Sequence, residues 1–288
     1  MSREVTLKDF IGKNKHRFFR GNAQHQKDQT MKLYRFMEFK NYSDMLVSEI
    51  GLEEVHDFMD YLEESNLRVS TRNRYLAAIT CLFKLAYNYG YITDKPKTSF
   101  AREKGREHRF TKEQIAATTD YLLKNPAKHR LPWAGWYFII GVNTGMRLGE
   151  IGSITEDTVT PELDHVYLWK TKNGKPRKVK LNKPASKAVG KVLENNVKFV
   201  QATFYRRWNK MRQHLIDTGV IPEAIKEEYV FHTARHTVAS NLVNNLNANL
   251  AHVAEILGHS DIATTMKYVH PDSEMVDAHM DRLATYNS

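Results

Sequence analysis

Cysteine is nearly absent from this chain of 288 residues, in which Cys81 is the one thiol. A lone cysteine excludes an internal disulfide and a zinc site built on thiolates. Its neighbours, A-I-T-C-L-F-K-L-A, have the pattern of a buried helix face, so we interpret Cys81 as a core residue rather than a reactive thiol. This cysteine usage is typical of a reducing compartment.

Long apolar runs are missing as well. No apolar run of about 18 residues occurs, which excludes a membrane-spanning helix. The N-terminus, M-S-R-E-V-T-L-K-D-F, lacks the apolar segment of a signal peptide. Metal-binding motifs, phosphate-binding glycine loops and internal repeats are also absent from the sequence. We therefore expect a cytoplasmic protein that needs no metal ion or other cofactor.

Acidic residues are too few to balance the basic ones. Lys and Arg number 43 against 33 Asp and Glu, which gives a net charge of +10. A hydrophobic content of 41% is sufficient for a core, and the length suggests one large or two ordinary domains. The charge favours a polyanionic partner, with nucleic acid first, although a basic and inert surface would have the same composition.

Helical patterns fill the first third of the chain. Residues 1–27 are basic and predict either a short first helix or a flexible arm. A clearer stripe follows at i, i+3, i+4 and i+7, formed by Val55, Phe58, Met59 and Leu62. Ser70 or Thr71 is expected to cap another helix. We predict a small helical domain over residues 1–95, followed by a basic linker at 96–110 that is either solvated or in contact with phosphates.

The remainder, residues 111–288, is predicted to be helical with one β-hairpin. Thr111 and Gln114 form a capping-box pattern, and Pro132 begins a helix that is apolar on all sides and therefore central. The hairpin is indicated by the alternation in H-V-Y-L-W-K-T, the turn dipeptide N-G and the return R-K-V-K-L. Towards the end, Gly258 terminates an apolar helix, and a short helix carrying Tyr268 is predicted before Pro271.

Several polar residues are positioned where this pattern is otherwise apolar or tightly turned: Arg147, His232, Arg235, His259 and Tyr268. Each alone has an ordinary structural explanation. Together they suit phosphoryl transfer, because guanidiniums bind the oxygens of a phosphodiester and a tyrosine hydroxyl can attack its phosphorus. A histidine can accept the phenol proton, and a lysine can protonate the departing 5′-oxygen.

The sequence resembles the tyrosine recombinase family, which includes phage integrases and Xer-type recombinases. The resemblance rests on four ordered blocks: N-T-G-M-R-L-G-E-I, T-K-N-G-K-P-R-K-V-K-L, F-H-T-A-R-H-T-V-A-S and L-G-H-S-D-I-A-T-T-M-K-Y. It implies six catalytic residues: Arg147, Lys172, His232, Arg235, His259 and Tyr268. The hairpin offers Lys170, Lys172 and Lys175; Lys172 is preferred because it precedes the N-G turn as the lysine of the family does, and Lys170 is the alternative. Ala234 departs from the leucine common in the family, which we interpret as a packing change.

Two further positions receive structural interpretations. Glu150 matches an acidic position of the family and is expected to support the arginines, while His236 is interpreted as structural. Four arginines are expected to contact DNA phosphates, two opening a helix of the first domain and two on a basic helix of the second: Arg72, Arg74, Arg206 and Arg207.

The resemblance implies a mainly α protein with a small β-hairpin, forming a two-domain DNA clamp. Residues 1–95 would be the core-binding domain, 96–110 the linker and 111–288 the catalytic domain, with a tail at 271–288. The tail would dock on a neighbouring protomer or on its own domain. A full additional arm-binding domain is not expected in a chain of this length.

The implied activity is site-specific recombination through a 3′-phosphotyrosine intermediate, without a cofactor. The expected partner is double-stranded DNA carrying a specific site, bound by a homotetramer in the synapse and by a monomer or weak oligomer otherwise. Accessory DNA-bending factors fit this scheme. Integration or excision of a phage or mobile element is favoured over an Xer-type resolvase. Three rival classes of function are a type IB topoisomerase-like strand transferase, a non-catalytic DNA-binding relative and a protein scaffold.

Overall fold

The computed structural model of the chain describes residues 4–18, 23–103, 105, 108–125, 132–171, 174–269 and 283. The chain divides into two compact units, Met1–Gly105 and Arg106–Ser288. Within the described ranges, no helix combines the length and the apolar character needed to cross a bilayer.

The first unit is helical. Its elements are α1 (Leu7–Phe18), α2 (Ala23–Glu38), a 3-10 segment (Phe39–Asp44), α3 (Leu52–Glu64) and α4 (Val69–Asn88). The basic N-terminal stretch therefore forms a helix, because Leu7, Phe10 and Ile11 give α1 an apolar side that is fully buried. The predicted stripe of α3 is confirmed for Val55, Phe58 and Leu62, all buried in the same core.

An extended segment after α4 is hydrogen-bonded to that helix. The buried Asn73 amide donates to the carbonyl of Ala101 and to Glu103, at 2.8 Å each, and accepts from the Ala101 N–H at 3.2 Å. Thr80 and Thr98 share a further bond of 3.1 Å. The beginning of the predicted linker thus packs on the first unit, while the division at 95 and 110 stays a prediction.

The second unit surrounds one apolar helix. Its helices are α5 (Lys112–Lys124), α6 (Trp133–Thr144), α7 (Leu148–Ile151), α8 (Lys183–Glu194), α9 (Gln201–Asp217), α10 (Thr233–Ser240), α11 (Leu250–Leu257) and α12 (Ala263–Met266), with short 3-10 turns at Glu156–Thr158 and Glu223–Ile225 and a π turn at Asn241–Asn245. The central position of α6 is confirmed, since it contacts α5, α8 and α10. The capping box is also confirmed, with both bonds between Thr111 and Gln114 at 3.2 Å.

The predicted hairpin is present with shorter strands than the alternation indicated. Strand β1 (His165–Leu168) pairs antiparallel with β2 (Arg177–Lys180), and Gly174 forms the turn with a positive φ of 70°. Val166 lies opposite Val179, and both are buried. Leu168 lies opposite Arg177 in the same register, so Arg177 projects from the inner face of the hairpin.

Candidate active site

Arg235 is held at the junction of three helices. It projects from α10, is 2% exposed, and donates from Nη1 to the Gly145 carbonyl at 2.9 Å and from Nη2 to the Leu257 carbonyl. These carbonyls lie where α6 and α11 end, and the C-terminal end of a helix carries partial negative charge that favours a cation. Arg235 therefore connects the ends of two sequence blocks that are far apart in the chain.

A glycine terminates each of these two helices. Gly145 and Gly258 have φ values of +67° and +64°, the left-handed conformation that ends a helix at little cost only for glycine. A Cβ on Gly258 would lie 2.6 Å from Nη1 of Arg177. Gly258 is thus required twice, for the turn and for the close approach of a guanidinium from the hairpin.

A buried carboxylate binds two further arginines. Glu150, 6% exposed, accepts from Arg147 Nη1 at 2.8 Å and from the Arg147 backbone N–H at 2.8 Å. It accepts from Arg177 at 3.0 and 2.8 Å in a bidentate pair. Burial alone would raise the pKa of Glu150, but the bonds from Arg177 and Arg147 outweigh it, so this pKa is below its ordinary value.

The three arginines leave the cluster with an excess of positive charge. Burial, followed by repulsion from Arg147 and Arg177, lowers the pKa of Arg235 to about 10, so its guanidinium stays charged at neutral pH. Among the carboxylates that the structure describes, Glu150 is the one that binds two of these groups. In the described part of the chain, Nε of Arg177 is also buried without a hydrogen-bond partner. A bound anion would neutralise the surplus charge, and phosphate oxygens match the bidentate geometry of guanidinium.

Tyr268 lies beside this cluster, two residues beyond the end of α12. Its hydroxyl is 3.0 Å from Nδ1 of His236, and its ring is parallel to that of His259, with centroids 6.4 Å apart. The Tyr268 carbonyl accepts a bond of 3.0 Å from Asn244. Burial raises the pKa of Tyr268, and the positive charge of Arg235 opposes that shift, so the phenol remains protonated at neutral pH.

His259 lies in the turn between α11 and α12. Its Nδ1 is 2.9 Å from the hydroxyl of the buried Thr265. Burial first, and then the charges of Arg235, Arg147 and Arg177, lower the pKa of His259 to about 4. His259 is therefore neutral at pH 7 and suited to hydrogen bonding.

The depressed pKa of His259 predicts a loss of stability in acid. The unfolded chain takes up a proton on this histidine below about pH 6.5, whereas the folded protein does so only near pH 4, so the free energy of unfolding falls as the pH decreases across this window. We expect His259→Asn to reduce that fall, measured by urea unfolding at several pH values. His252→Asn, which removes an exposed histidine of α11, is the control, and identical profiles for wild type and His259→Asn would contradict the prediction.

The structure thus brings Arg147, Arg235, His259 and Tyr268 together. His232 occupies a different environment from Arg235, because it is exposed at the start of α10, with its ring 5.1 Å from that of His236. Lys172 and the tail 271–288, apart from residue 283, lie outside the described residues.

The remaining predicted residues differ in how freely they could contact DNA. Lys170 is exposed beside the hairpin turn. Arg74 and Arg206 are exposed. Arg72 forms an ion pair of 2.6 Å with Glu63, and the guanidinium of Arg207 lies over the ring of Trp133 at 5.7 Å.

Two residues contact the predicted site residues without having been assigned to the site from the sequence. Arg177 carried a weak signal, because strand alternation assigns it to the same face as the apolar Val179, where an arginine needs a partner. The interpretation of His236 as structural did not include its contact with Tyr268, which no local pattern indicates. In the described part of the chain, no cluster of three or more His, Cys, Asp or Glu side chains is arranged to hold a metal ion.

Comparisons with known proteins cover both units. The sequence model of the phage integrase family matches residues 108–275, and that of the phage integrase SAM-like domain matches residues 6–101. The chain is 25% identical to tyrosine recombinase XerD of Vibrio vulnificus, over 86% of this chain and 84% of that protein. It is 29% identical to a putative integrase/recombinase of Haemophilus influenzae, over 89% and 84%.

A solved structure has a similar fold. The Tn1549 transposon integrase, in complex with a circular intermediate DNA, superimposes with a TM-score of 0.78 over 97% of this chain and 100% of the other. The two sequences are 15% identical, so this likeness concerns the fold alone.

Proposed function

Because this chain belongs to the phage integrase family of site-specific tyrosine recombinases, we propose that Tyr268 is its nucleophile and that Arg147, Arg177 and Arg235 bind the scissile phosphate. The observation that carries the proposal is the positively charged cluster formed by the buried Arg235 and the partly buried Arg147 and Arg177, next to Tyr268. Such a cluster favours the transition state, in which negative charge grows on the non-bridging oxygens.

The reaction is a pair of transesterifications. Oη of Tyr268 attacks phosphorus, the bond to the 5′-oxygen breaks, and the strand remains attached to the protein through a 3′-phosphotyrosine. The free 5′-hydroxyl of a partner duplex then reverses the step and exchanges the strands. The phosphotyrosine conserves the energy of the broken bond. We assign Lys172, with Lys170 as the alternative, to protonation of the leaving 5′-oxygen.

The substrate in this proposal is duplex DNA with a specific recombination site. A basic protein of this kind releases counterions from DNA, so its affinity should fall steeply with salt. Arg74 and Arg206 are the better phosphate contacts of the four predicted, because they are exposed, while Arg72 and Arg207 are engaged with Glu63 and Trp133. We propose a tetramer in the synapse.

A biological role in integration or excision of a mobile element is our preferred proposal. The Tn1549 integrase, a transposon protein, has a similar fold over nearly the whole chain, and this likeness of fold is compatible with such a role. An Xer-type resolvase is the alternative, which the similarity to XerD supports. The two roles share the same chemistry.

A two-duplex assay tests the recombinase function. The binding site is first selected from a random pool of duplexes. Two differently labelled duplexes are then mixed with the protein, and we expect strands joined between them only when each duplex carries the selected site. Relaxation of supercoiled DNA without any joined product would instead indicate a topoisomerase. Binding without any SDS-resistant adduct on a nicked duplex would indicate a non-catalytic DNA-binding protein.

A further inference from the structure

We propose that His236 is a catalytic residue, the base that takes the phenol proton of Tyr268 as the hydroxyl attacks phosphorus. The inference rests on the proposed function of Tyr268. Its basis is direct contact with the reacting atom, since Nδ1 of His236 is 3.0 Å from Oη of Tyr268. That distance is within the range required for proton transfer between a nucleophile and its base.

The other two histidines of the site have different positions. His259 lies parallel to the ring of Tyr268, and its Nδ1 bonds with Thr265. His232 is exposed at the start of α10, and its ring meets that of His236 nearly edge-on, with an interplanar angle of 81°. His232 is thus positioned to contact the substrate or the base, while His236 contacts the nucleophile.

The nucleophile needs such a base. Burial keeps the phenol of Tyr268 protonated at neutral pH, although Arg235 opposes the rise of its pKa. An imidazole is suited to this exchange, because its ordinary pKa lies near 6.5 and it can both accept and return a proton close to pH 7.

The described groups around His236 determine how much positive charge lies near the proton that it would accept. Among the described residues, Tyr268 from beyond α12 and His232 at the start of α10 contact its ring, His259 from the turn before α12 interacts with it electrostatically, and Arg235 is its neighbour in α10. His259 is neutral at pH 7, so it adds no positive charge against the proton that His236 gains. Each arginine would be partly neutralised by the bound phosphate.

The step balances without any other reactant. The bond between Oη and phosphorus forms, the phenol proton moves to Nδ1 of His236, and the bond between phosphorus and the 5′-oxygen breaks. The 5′-oxygen receives its proton from the lysine acid. In the rejoining step His236 returns its proton to Tyr268. This scheme requires the tautomer of His236 that carries its hydrogen on Nε2.

The test compares His236→Asn with His232→Asn. Asparagine retains hydrogen-bonding groups near the position of Nδ1 but takes up no proton in this pH range. We measure single-turnover formation of the covalent adduct on a nicked duplex from about pH 5.5 to 8.5, where a base of ordinary histidine pKa changes its protonation. His236→Asn should slow adduct formation about 10²–10⁴-fold, as expected for loss of a general base. In the wild type the rate should fall at acid pH as the base becomes protonated, and this fall (the acid limb of the rate profile) should be absent from His236→Asn. His232→Asn should retain that limb.

Several outcomes would overturn the assignment. A wild-type rate in His236→Asn would show that His236 has no role in the reaction. A slower rate with an unchanged acid limb would show that His236 only positions Tyr268. If the variant does not fold, ¹⁵N NMR of the wild-type protein gives the answer: a hydrogen on Nδ1 of His236 contradicts the proposal, and an unprotonated Nδ1 supports it. A wild-type protein that forms no adduct would refute the proposed function of Tyr268 instead.

Discussion

Tyr268→Phe is expected to abolish the covalent protein–DNA adduct while the protein still folds and binds DNA. The substitution removes the attacking oxygen, and loss of a catalytic nucleophile lowers a rate on the order of 10⁶-fold. The ring itself is retained. It packs against the cluster of Ala239, Val253 and Leu257, so the structural cost is that of one hydrogen bond to His236, about 0.5–1.5 kcal/mol.

The measurement is an SDS-resistant adduct on a nicked duplex that carries the selected site. Tyr205→Phe is the matched control, since Tyr205 is an exposed tyrosine on α9, and it should form the adduct as the wild type does. An adduct with Tyr268→Phe would show that another residue attacks the phosphate. Loss of DNA binding in that variant would indicate that Tyr268 has a structural role.

Arg177→Gln is expected to slow cleavage about 10²–10³-fold, the usual effect of removing one donor from a developing oxyanion. Arg177 lies in the arginine cluster, and its buried Nε has no hydrogen-bond partner among the described residues. Its charge acts on both Arg235 and His259. The neighbouring Lys178 is on the opposite face of β2, over the ring of Tyr167 at 5.5 Å. Lys178→Gln is therefore the matched control and should cleave at nearly the wild-type rate.

The stability of both variants must be measured as well. Glu150 loses its bidentate partner in Arg177→Gln, and breaking a buried ion pair can cost about 3–5 kcal/mol, although Glu150 retains Arg147. Thermal unfolding separates this cost from the effect on cleavage. Arg177→Lys should recover part of the stability through its charge but not the bidentate geometry. A folded Arg177→Gln protein that cleaves at the wild-type rate would contradict the assignment.

Local patterns predicted most of the fold. The apolar helix after Pro132, the capping box at Thr111 and the turn at Gly258 each depend on residues within a few positions of one another, so the sequence carries the complete physical cause. The hairpin was predicted for the same reason. Its strands end earlier than the alternation does: Leu168 and Arg177 are the last paired residues, and Trp169 and Lys170 beyond them are exposed.

Residue type and order along the chain were enough to propose the chemical groups of the site: a tyrosine, arginines and histidines in four ordered blocks. The partners of these groups follow from packing in three dimensions. Arg235 binds carbonyls 90 and 22 residues away, Glu150 binds an arginine 27 residues away, and Tyr268 meets a histidine 32 residues earlier. These contacts depend on how the ends of α6, α10 and α11 and the inner face of the hairpin pack together. Packing through space leaves no periodic signal along the chain, which is why the contacts of His236 with Tyr268 and of Arg177 with Glu150 became visible only in the folded protein.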